Sequence, residues 1–352
     1  MDAILILFLS AAAAAMSELF IPLIAEGMGA SRLEIGFVVS VYGLMALASF
    51  YIFGRVSDSK GRLVLIRCGM LLSALAFLMQ VLAGGWLTLL LARAVCGFAI
   101  GVFYSSLIIY GVECGRKLGR YTAYESLGCG AGTLLAGFIA VYYGVFIFSS
   151  VFFFISFLIA LRLPDVKSER VETPLIPFRI VKRNWRTYLP LLMRDVGGYS
   201  IWGFLPIYLV GLGADKLWIG ILYLINSGGQ FVVKQFVDRF NYSRLFAWGL
   251  LLSAVTFYGY SLATSYLHVI PLHLVLAAAW SALSVGAMGS LTRKNPEKAT
   301  VIGLFSSARS VAAVVGPVIG GVITQYWGFT ALMLFSGTLT MAGLGAYLIK
   351  RR

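Results

Sequence analysis

The sequence is short of charge. Only 12% of its 352 residues are Asp, Glu, Lys or Arg, where a soluble domain carries about 25%. A folded surface this poor in charge cannot face water over most of its area, so the main solvent is lipid. Metal ligands are scarce too. The two histidines, His268 and His273, and the four cysteines, Cys68, Cys96, Cys114 and Cys129, form no C-x-x-C pair and no ligand cluster. The thiols fall in or beside apolar stretches and read as small buried hydrophobes. No Walker-type glycine loop is present, which excludes ATP as the driving force. No catalytic constellation is visible, so an enzyme is not expected and no cofactor is implied.

What the chain has is apolar length: 60% hydrophobic residues and a mean hydropathy of +0.91. A membrane span needs about 20 apolar residues. Twelve segments qualify, at about 3–25, 33–54, 63–83, 86–111, 119–141, 143–161, 188–211, 217–236, 245–264, 267–290, 299–324 and 327–349. The alanines at 11–15 resemble a signal-peptide cleavage region. The start Met1-Asp2 lacks the positive charge such a peptide needs, and the apolar run continues through Ile21 to Ile24. The expectation is a retained first span.

Basic residues orient the segments. One set of connections holds Arg55, Lys60, Arg62 and Arg67, then Arg116, Lys117 and Arg120, with further groups around 162–186, 234–244, 293–298 and 350–352. The opposite connections hold only Arg32 and Lys216. Positive loops remain in the cytoplasm, so both termini are expected there, in a cytoplasmic membrane. The net charge of +14 is then a topological and lipid-surface signal. Because that charge is divided among loops, nucleic acid is not an expected partner. The one long polar connection, 163–187, separates a bundle at 1–162 from a bundle at 188–352.

The two bundles repeat one another. Residues 69–77 read GMLLSALAF and 249–257 read GLLLSAVTF, with Gly69/Gly249, Leu71/Leu251, Leu72/Leu252, Ser73/Ser253, Ala74/Ala254 and Phe77/Phe257 identical. Asp58 pairs with Asp238 in the same register. Slightly shifted, Glu113 meets Glu297, Ser126 meets Ser310, Gly132 meets Gly316 and Gly137 meets Gly321. Two similar halves in an apolar chain mark a transporter that rocks about a central site.

On these features the chain resembles a major facilitator superfamily transporter over nearly its full length. Gly54-Arg55-Val56-Ser57-Asp58-Ser59-Lys60-Gly61-Arg62 resembles the family's loop between segments 2 and 3, with Ser59 where a basic residue is usual. The resemblance implies that Asp58 faces the start of segment 11 and that Arg62 pairs with Glu113. A carboxylate is favoured at a helix N-terminus, and short charge pairs between bundles can hold one conformation. The second copy keeps Asp238, Arg239 and Glu297. Arg93 to Gly101 resembles the family's segment-4 motif, whose glycines at 97 and 101 allow close helix approach. Gly316-Pro317-Val318-Ile319-Gly320-Gly321 resembles the glycine-proline motif that the family's antiporters carry in segment 5. Here the clean copy lies in segment 11, and small residues packing at the seam account for it as well as antiport does. The resemblance also implies a monomer.

Ionisable groups inside spans cost about 2.5–3.5 kcal/mol each on insertion scales and are functional candidates. Glu18, late in segment 1, and Arg93, early in segment 4, fall at similar depth, so they are expected to approach each other. Asp195, Tyr199 and Trp202 share a face of segment 7, where Gly197 and Gly198 suit a gate. Tyr223, Asn226, Gln230 and Lys234 form a polar stripe on segment 8 that should face a wet cavity or another helix. Glu125 and Arg309 occupy equivalent positions in the two halves, where opposite charges would attract across the interface. Tyr104, His273 and Trp280 are further cavity candidates.

The reading is an all-α protein with twelve spans in two six-helix bundles that moves a small molecule by alternating access. Protons are the expected coupling ion, through Glu18 or Asp195. An aromatic cavity with few fixed charges suits export of amphipathic compounds. Three buried arginines, Arg93, Arg194 and Arg309, suit uptake of an organic anion or sugar acid instead. A non-transporting sensor on the same scaffold is the alternative of another class.

Overall fold

The computed structural model describes residues 2–60, 62–116, 118–165, 178–295 and 298–349. Its regular elements are all helical among the described residues. They are α1 (Asp2–Glu18), α2 (Ile21–Gly27), α3 (Arg32–Lys60), α4 (Arg62–Met79), α5 (Trp86–Glu113), α6 (Leu118–Ile139) and α7 (Tyr142–Ala160) in the first half. The second half holds α8 (Phe178–Trp202), α9 (Leu205–Gly211), α10 (Lys216–Lys234), α11 (Tyr242–Ser261), α12 (Val269–Lys294) and α13 (Lys298–Leu348). α13 reverses at Gly328, whose φ of 79° is non-helical, so it makes two crossings. α1 with α2 makes one crossing, as does α8 with α9. The total is twelve crossings, six in each half.

Both composite crossings break for the same reason. Pro22 stands four residues after Glu18, and Pro206 stands four after Trp202. A proline ring clashes with the carbonyl four residues earlier and has no N–H to give it. α1 therefore stops at Glu18 and α8 at Trp202, and α2 and α9 each begin with proline in the first turn. The short helices then end alike, at Gly29 (φ 83°) and Gly213 (φ 88°), a left-handed turn that glycine adopts without steric cost. The next helices begin with matching caps. Ser31 and Glu34 exchange backbone-to-side-chain bonds at 2.7 and 3.3 Å, a capping box. The Asp215 carboxylate accepts from the Trp218 N–H at 2.7 Å. The sequences confirm the match: FIPLIAEGMGASRLEIG at 20–36 and FLPIYLVGLGADKLWIG at 204–220. This repeat lies 184 residues apart and is longer than the one that first disclosed the halves, with eight identities in seventeen positions.

α8 begins at Phe178, ahead of the expected bound at 188, because its first turns are amphipathic. Ile180, Asn184 and Thr187 are buried while Arg179 and Arg183 lie outward. α8 also runs unbroken through Gly197 and Gly198, where a loosened gate was expected. Gly197 packs on the backbone of Ser336, and Gly198 lies against Arg194 and Phe257, so these glycines serve close packing. The break falls at Gly203, where Pro206 puts it.

Among the described residues, seven stretches are apolar and long enough to cross a membrane on composition alone, the last of them spanning two crossings. α6, α8, α10 and α11 are not among them. The first three of these carry Glu125, Arg194, Asp195, Asn226 and Gln230, whose side chains turn inward. Leu75, Phe138, Trp248, Leu262 and Trp327 are exposed on the outside, a surface suited to acyl chains, with Trp327 and Tyr326 at a connection as in an interfacial belt.

The halves meet chiefly through α3 with α13 and α6 with α10. Their contact is unequal along the membrane axis. At the end with few basic residues one continuous apolar core includes Met16, Phe20, Ile35 and Val145 of the first half and Phe204, Leu209, Ile219 and Leu332 of the second. At the basic end the cores are separate. One holds Ile66, Phe103, Tyr121 and Phe153 from the first half, and another holds Leu191, Phe246, Leu283 and Phe305 from the second. At this end a cleft of about 470 Å³ is bordered by Ile4, Arg116, Arg120 and Tyr124 of the first half and by Phe231 and Gln235 of the second.

Glycines make the closed end possible. A Cβ on Gly36 would lie 2.6 Å from the Pro317 carbonyl oxygen, and one on Gly220 would lie 2.6 Å from that of Thr133. Each pair is the other's image under the repeat. Lys216 Nζ donates across the same seam to the Ala140 carbonyl at 2.7 Å, and the Leu33 N–H to Gln325 Oε1 at 3.1 Å.

Candidate functional site

The break after α1 leaves Glu18 at a helix end, half-exposed at 50%. Its Oε1 lies 3.3 Å from Arg93 Nη2. Arg93, on α5, is fully buried, and its guanidinium sits 4.2 Å over the ring of Tyr42 on α3. Gly97, one turn along α5 from Arg93, abuts the Tyr42 backbone. A side chain there would push α3 away and lift Tyr42 off the guanidinium. Glu18 thus shares the charge of a cation that has an aromatic face on its other side. Glu18 also lies within Coulomb range of Tyr199 and Tyr223 of the second half, so it faces the space between the bundles.

Lower on the first half, Tyr104 Oη donates to Glu125 Oε1 at 2.6 Å. Glu125 and Arg309, expected to attract across the interface, form no ion pair here. Each group has a partner within its own half. The link that does cross is Lys234 Nζ donating to Ser126 Oγ at 2.9 Å.

The second half presents a cluster built around Trp280 of α12. Arg194 stacks 4.9 Å from the ring centroid, and Arg309 lies 4.5 Å from it. Asp195 joins the two. Its Oδ1 accepts from Arg194 Nη1 at 2.8 Å, and its Oδ2 lies 3.6 Å from Arg309 Nε. Arg194 is secured further by Ser253 Oγ at 3.1 Å, and Arg309 Nη2 donates to Tyr199 Oη at 3.2 Å. Arg194 and Asp195 are buried, whereas Arg309 is 37% exposed. Arg309 lies within Coulomb range of Tyr104 and Glu125 of the first half.

The polar stripe of α10 points mainly at α12. Asn226 Nδ2 donates to the His273 carbonyl at 3.2 Å, Gln230 Nε2 to Asn226 Oδ1 at 2.8 Å, and His273 Nδ1 to the Leu222 carbonyl at 2.7 Å. The rings of Trp202, Tyr223 and Tyr260 surround the imidazole with centroids 6.0–6.2 Å away. Trp202 therefore belongs to this aromatic box, one turn beyond the Asp195–Tyr199 pair.

Of the gate and motif residues, Arg62 and Glu113 form an ion pair at 2.5 Å. Gly54 and Asp58 lie in the last turns of α3, and the side chains of Asp58 and Asp238 lie outside the described residues. Gly61 and Glu297 lie outside the described residues altogether. Arg239 is exposed beside the ring of Phe236. Gly316 and Gly320 abut α8 at Val196, Tyr199 and Ser200, while Pro317 backs onto Gly36 of α3. The glycine-proline motif thus lets α13 touch both α8 and α3 at the seam. Tyr42, Ser253 and the two prolines escaped the sequence reading. The prolines were visible in the 20–36 and 204–220 repeat, whereas nothing local distinguishes Tyr42 from other span tyrosines.

The sequence profile of the Major Facilitator Superfamily matches residues 3–266 and 217–352. An uncharacterized MFS-type transporter of Methanocaldococcus jannaschii is 22% identical, over 92% of this chain and 91% of the relative. The multidrug resistance protein MdtG of Klebsiella pneumoniae is 25% identical, over 95% and 89%, and that of Salmonella typhimurium is 25% identical, over 92% and 88%. The crystal structure of the nucleoside transporter NupG superposes with a TM-score of 0.82 at 12% identity, covering 99% of both chains.

Proposed function

Since the chain belongs to the Major Facilitator Superfamily, and so to a group of multi-pass membrane transporters, we propose that it exports amphipathic small molecules in exchange for protons. The observation that carries this reading is the unequal contact of the halves. They share a core at the sparse end and part at the basic end. If the basic end faces the cytoplasm, as its loops indicate, this is the conformation that loads a cytoplasmic solute. Rocking the halves about the intervening cavity would then release the solute outside. The long relatives named for multidrug resistance support export. So does the wall chemistry, to which Tyr199, Trp202, Tyr223 and Trp280 contribute aromatic surface.

Glu18 is our choice for the proton carrier. It is half-exposed to the cavity and has one ionic partner, so water reaches it and a proton can exchange. Asp195 is buried between two guanidiniums and serves better as their fixed counter-ion. A proton on Glu18 would leave Arg93 with Tyr42 alone, which couples protonation to the packing of α1, α3 and α5.

The test is dye accumulation in proteoliposomes under an imposed pH gradient. Wild-type protein is expected to accumulate dye against its gradient and dissipate the proton gradient as it does so. Glu18→Gln is expected to retain downhill dye movement and lose gradient-driven accumulation. Full uphill transport by Glu18→Gln would overturn the proton role, and no dye movement by the wild type would overturn export.

A further inference from the structure

We infer that the transported solute carries a negatively charged group beside an aromatic body, and that Arg309 receives that charge. The inference rests on the transport reading above and names the solute class for the same cavity.

It follows from a charge inventory around Trp280. Two guanidiniums, Arg194 and Arg309, flank the indole, and one carboxylate, Asp195, serves both. The sharing is uneven. Asp195 hydrogen-bonds Arg194 at 2.8 Å, but it approaches Arg309 only to 3.6 Å. Neither Asp195 Oδ2 nor Arg309 Nε has a hydrogen-bond partner among the described residues. The buried Arg194 thus holds the carboxylate by a hydrogen bond, while the more exposed Arg309 keeps only a looser ion pair with it. A loosely paired cation at this depth is costly, and an arriving anion relieves part of that cost. Arg309 is also held in place for the task. Trp280 supports one face of the guanidinium, and Tyr199 Oη accepts from Nη2. Its planar, rigid fork matches carboxylate, sulfonate or phosphate better than a lysine would.

The aromatic requirement comes from Trp202 and Tyr223, stacked edge to face at 4.7 Å one turn beyond Tyr199. Glu125 supplies the means of release. It stands on the first half within Coulomb range of Arg309 and Lys234, held back by Tyr104. When the basic end closes, Glu125 can take the place of the solute anion on Arg309.

The experiment measures binding to the full chain in nanodiscs with three probes of one shape: 1-naphthoate, 1-naphthamide and 1-naphthylmethylammonium. Wild-type protein is expected to bind the naphthoate about tenfold or more tighter than the amide, with the ammonium weakest. Arg309→Gln should bind acid and amide within about twofold of each other, while Glu125→Gln should bind the acid more tightly by removing its competitor. Amide binding by Arg309→Gln shows that the variant is folded. If that variant does not fold, Arg309→Lys and Glu125→Gln carry the test, with a reduced and an increased preference for the acid. Equal binding of acid and amide by the wild type overturns the inference. So does an acid preference that survives in Arg309→Gln, or no binding of the acid at all. Flux in proteoliposomes separates the two readings. Movement of the ammonium probe without naphthoate binding would leave transport standing and remove Arg309 from it. Arg309-dependent naphthoate binding with no flux of any probe would do the reverse.

Discussion

Arg93 shows what a single residue needs in order to be charged inside a membrane. Its side chain is buried, so the insertion cost of about 2.5–3.5 kcal/mol has to be offset by neighbours. Glu18 supplies half of that answer and Tyr42 the other half. Glu18→Ala is therefore expected to destabilise the protein by about 1–3 kcal/mol. This is less than the ~3–5 kcal/mol of breaking a fully buried pair, because Glu18 is half-exposed and water reaches the guanidinium in its place. Glu18→Gln keeps an acceptor and should cost less than half as much. Thermal unfolding of the purified variants checks both, and equal stability of Glu18→Ala and wild type would contradict the arrangement. The Glu18–Arg93 contact was legible because charges in spans are few and depth can be counted from the ends. Tyr42 was not, because an aromatic in a span is ordinary until its partner is located. The same reason hid the role of Trp280, whose ring lies against residues 86 positions before it and 29 after it.

Among the elements, the broken crossings carry the most information. An apolar run gives no sign of a break, so segments 1 and 7 each read as one helix. Pro22 and Pro206 interrupt them at equivalent places and so leave Glu18 and Trp202 at helix ends. The turns that follow need glycine for the backbone alone. A Cβ on Gly213 would meet nothing within 4 Å, yet its φ is 88°. Gly213→Ala is expected to cost about 1–2 kcal/mol from conformation only. Gly228 has equally open surroundings within helical α10. Gly228→Ala should accordingly stabilise by about 0.5–1 kcal/mol. Unfolding midpoints that move in opposite directions would verify the pair, and a shared sign would refute the account of the turn. Segment boundaries at the basic end were less legible than the spans, since α8 begins in a basic amphipathic stretch that hydropathy alone excludes.

The whole molecule is two copies of a six-crossing bundle joined along a seam that is tight at one end. The repeat, the count of crossings and the family were all readable, because lipid imposes the same apolar length on each span and duplication leaves its identities in place. Which end would be closed was not readable. That depends on how backbones at Gly36, Gly220, Pro317 and Thr133 fit, a property of shape that composition does not record. The central claim is that the bundles pivot, so that opening at one end accompanies closing at the other. Double electron–electron resonance tests it most directly, in protein whose four native cysteines have been replaced. One pair of spin labels spans the sparse end, at Glu34→Cys and Tyr326→Cys, and another spans the basic end, at Arg120→Cys and Gln235→Cys. Gly36→Val and Gly220→Val, which wedge the closed seam, are expected to lengthen the first distance and shorten the second. Distances that stay constant, or that lengthen together, would contradict the pivot.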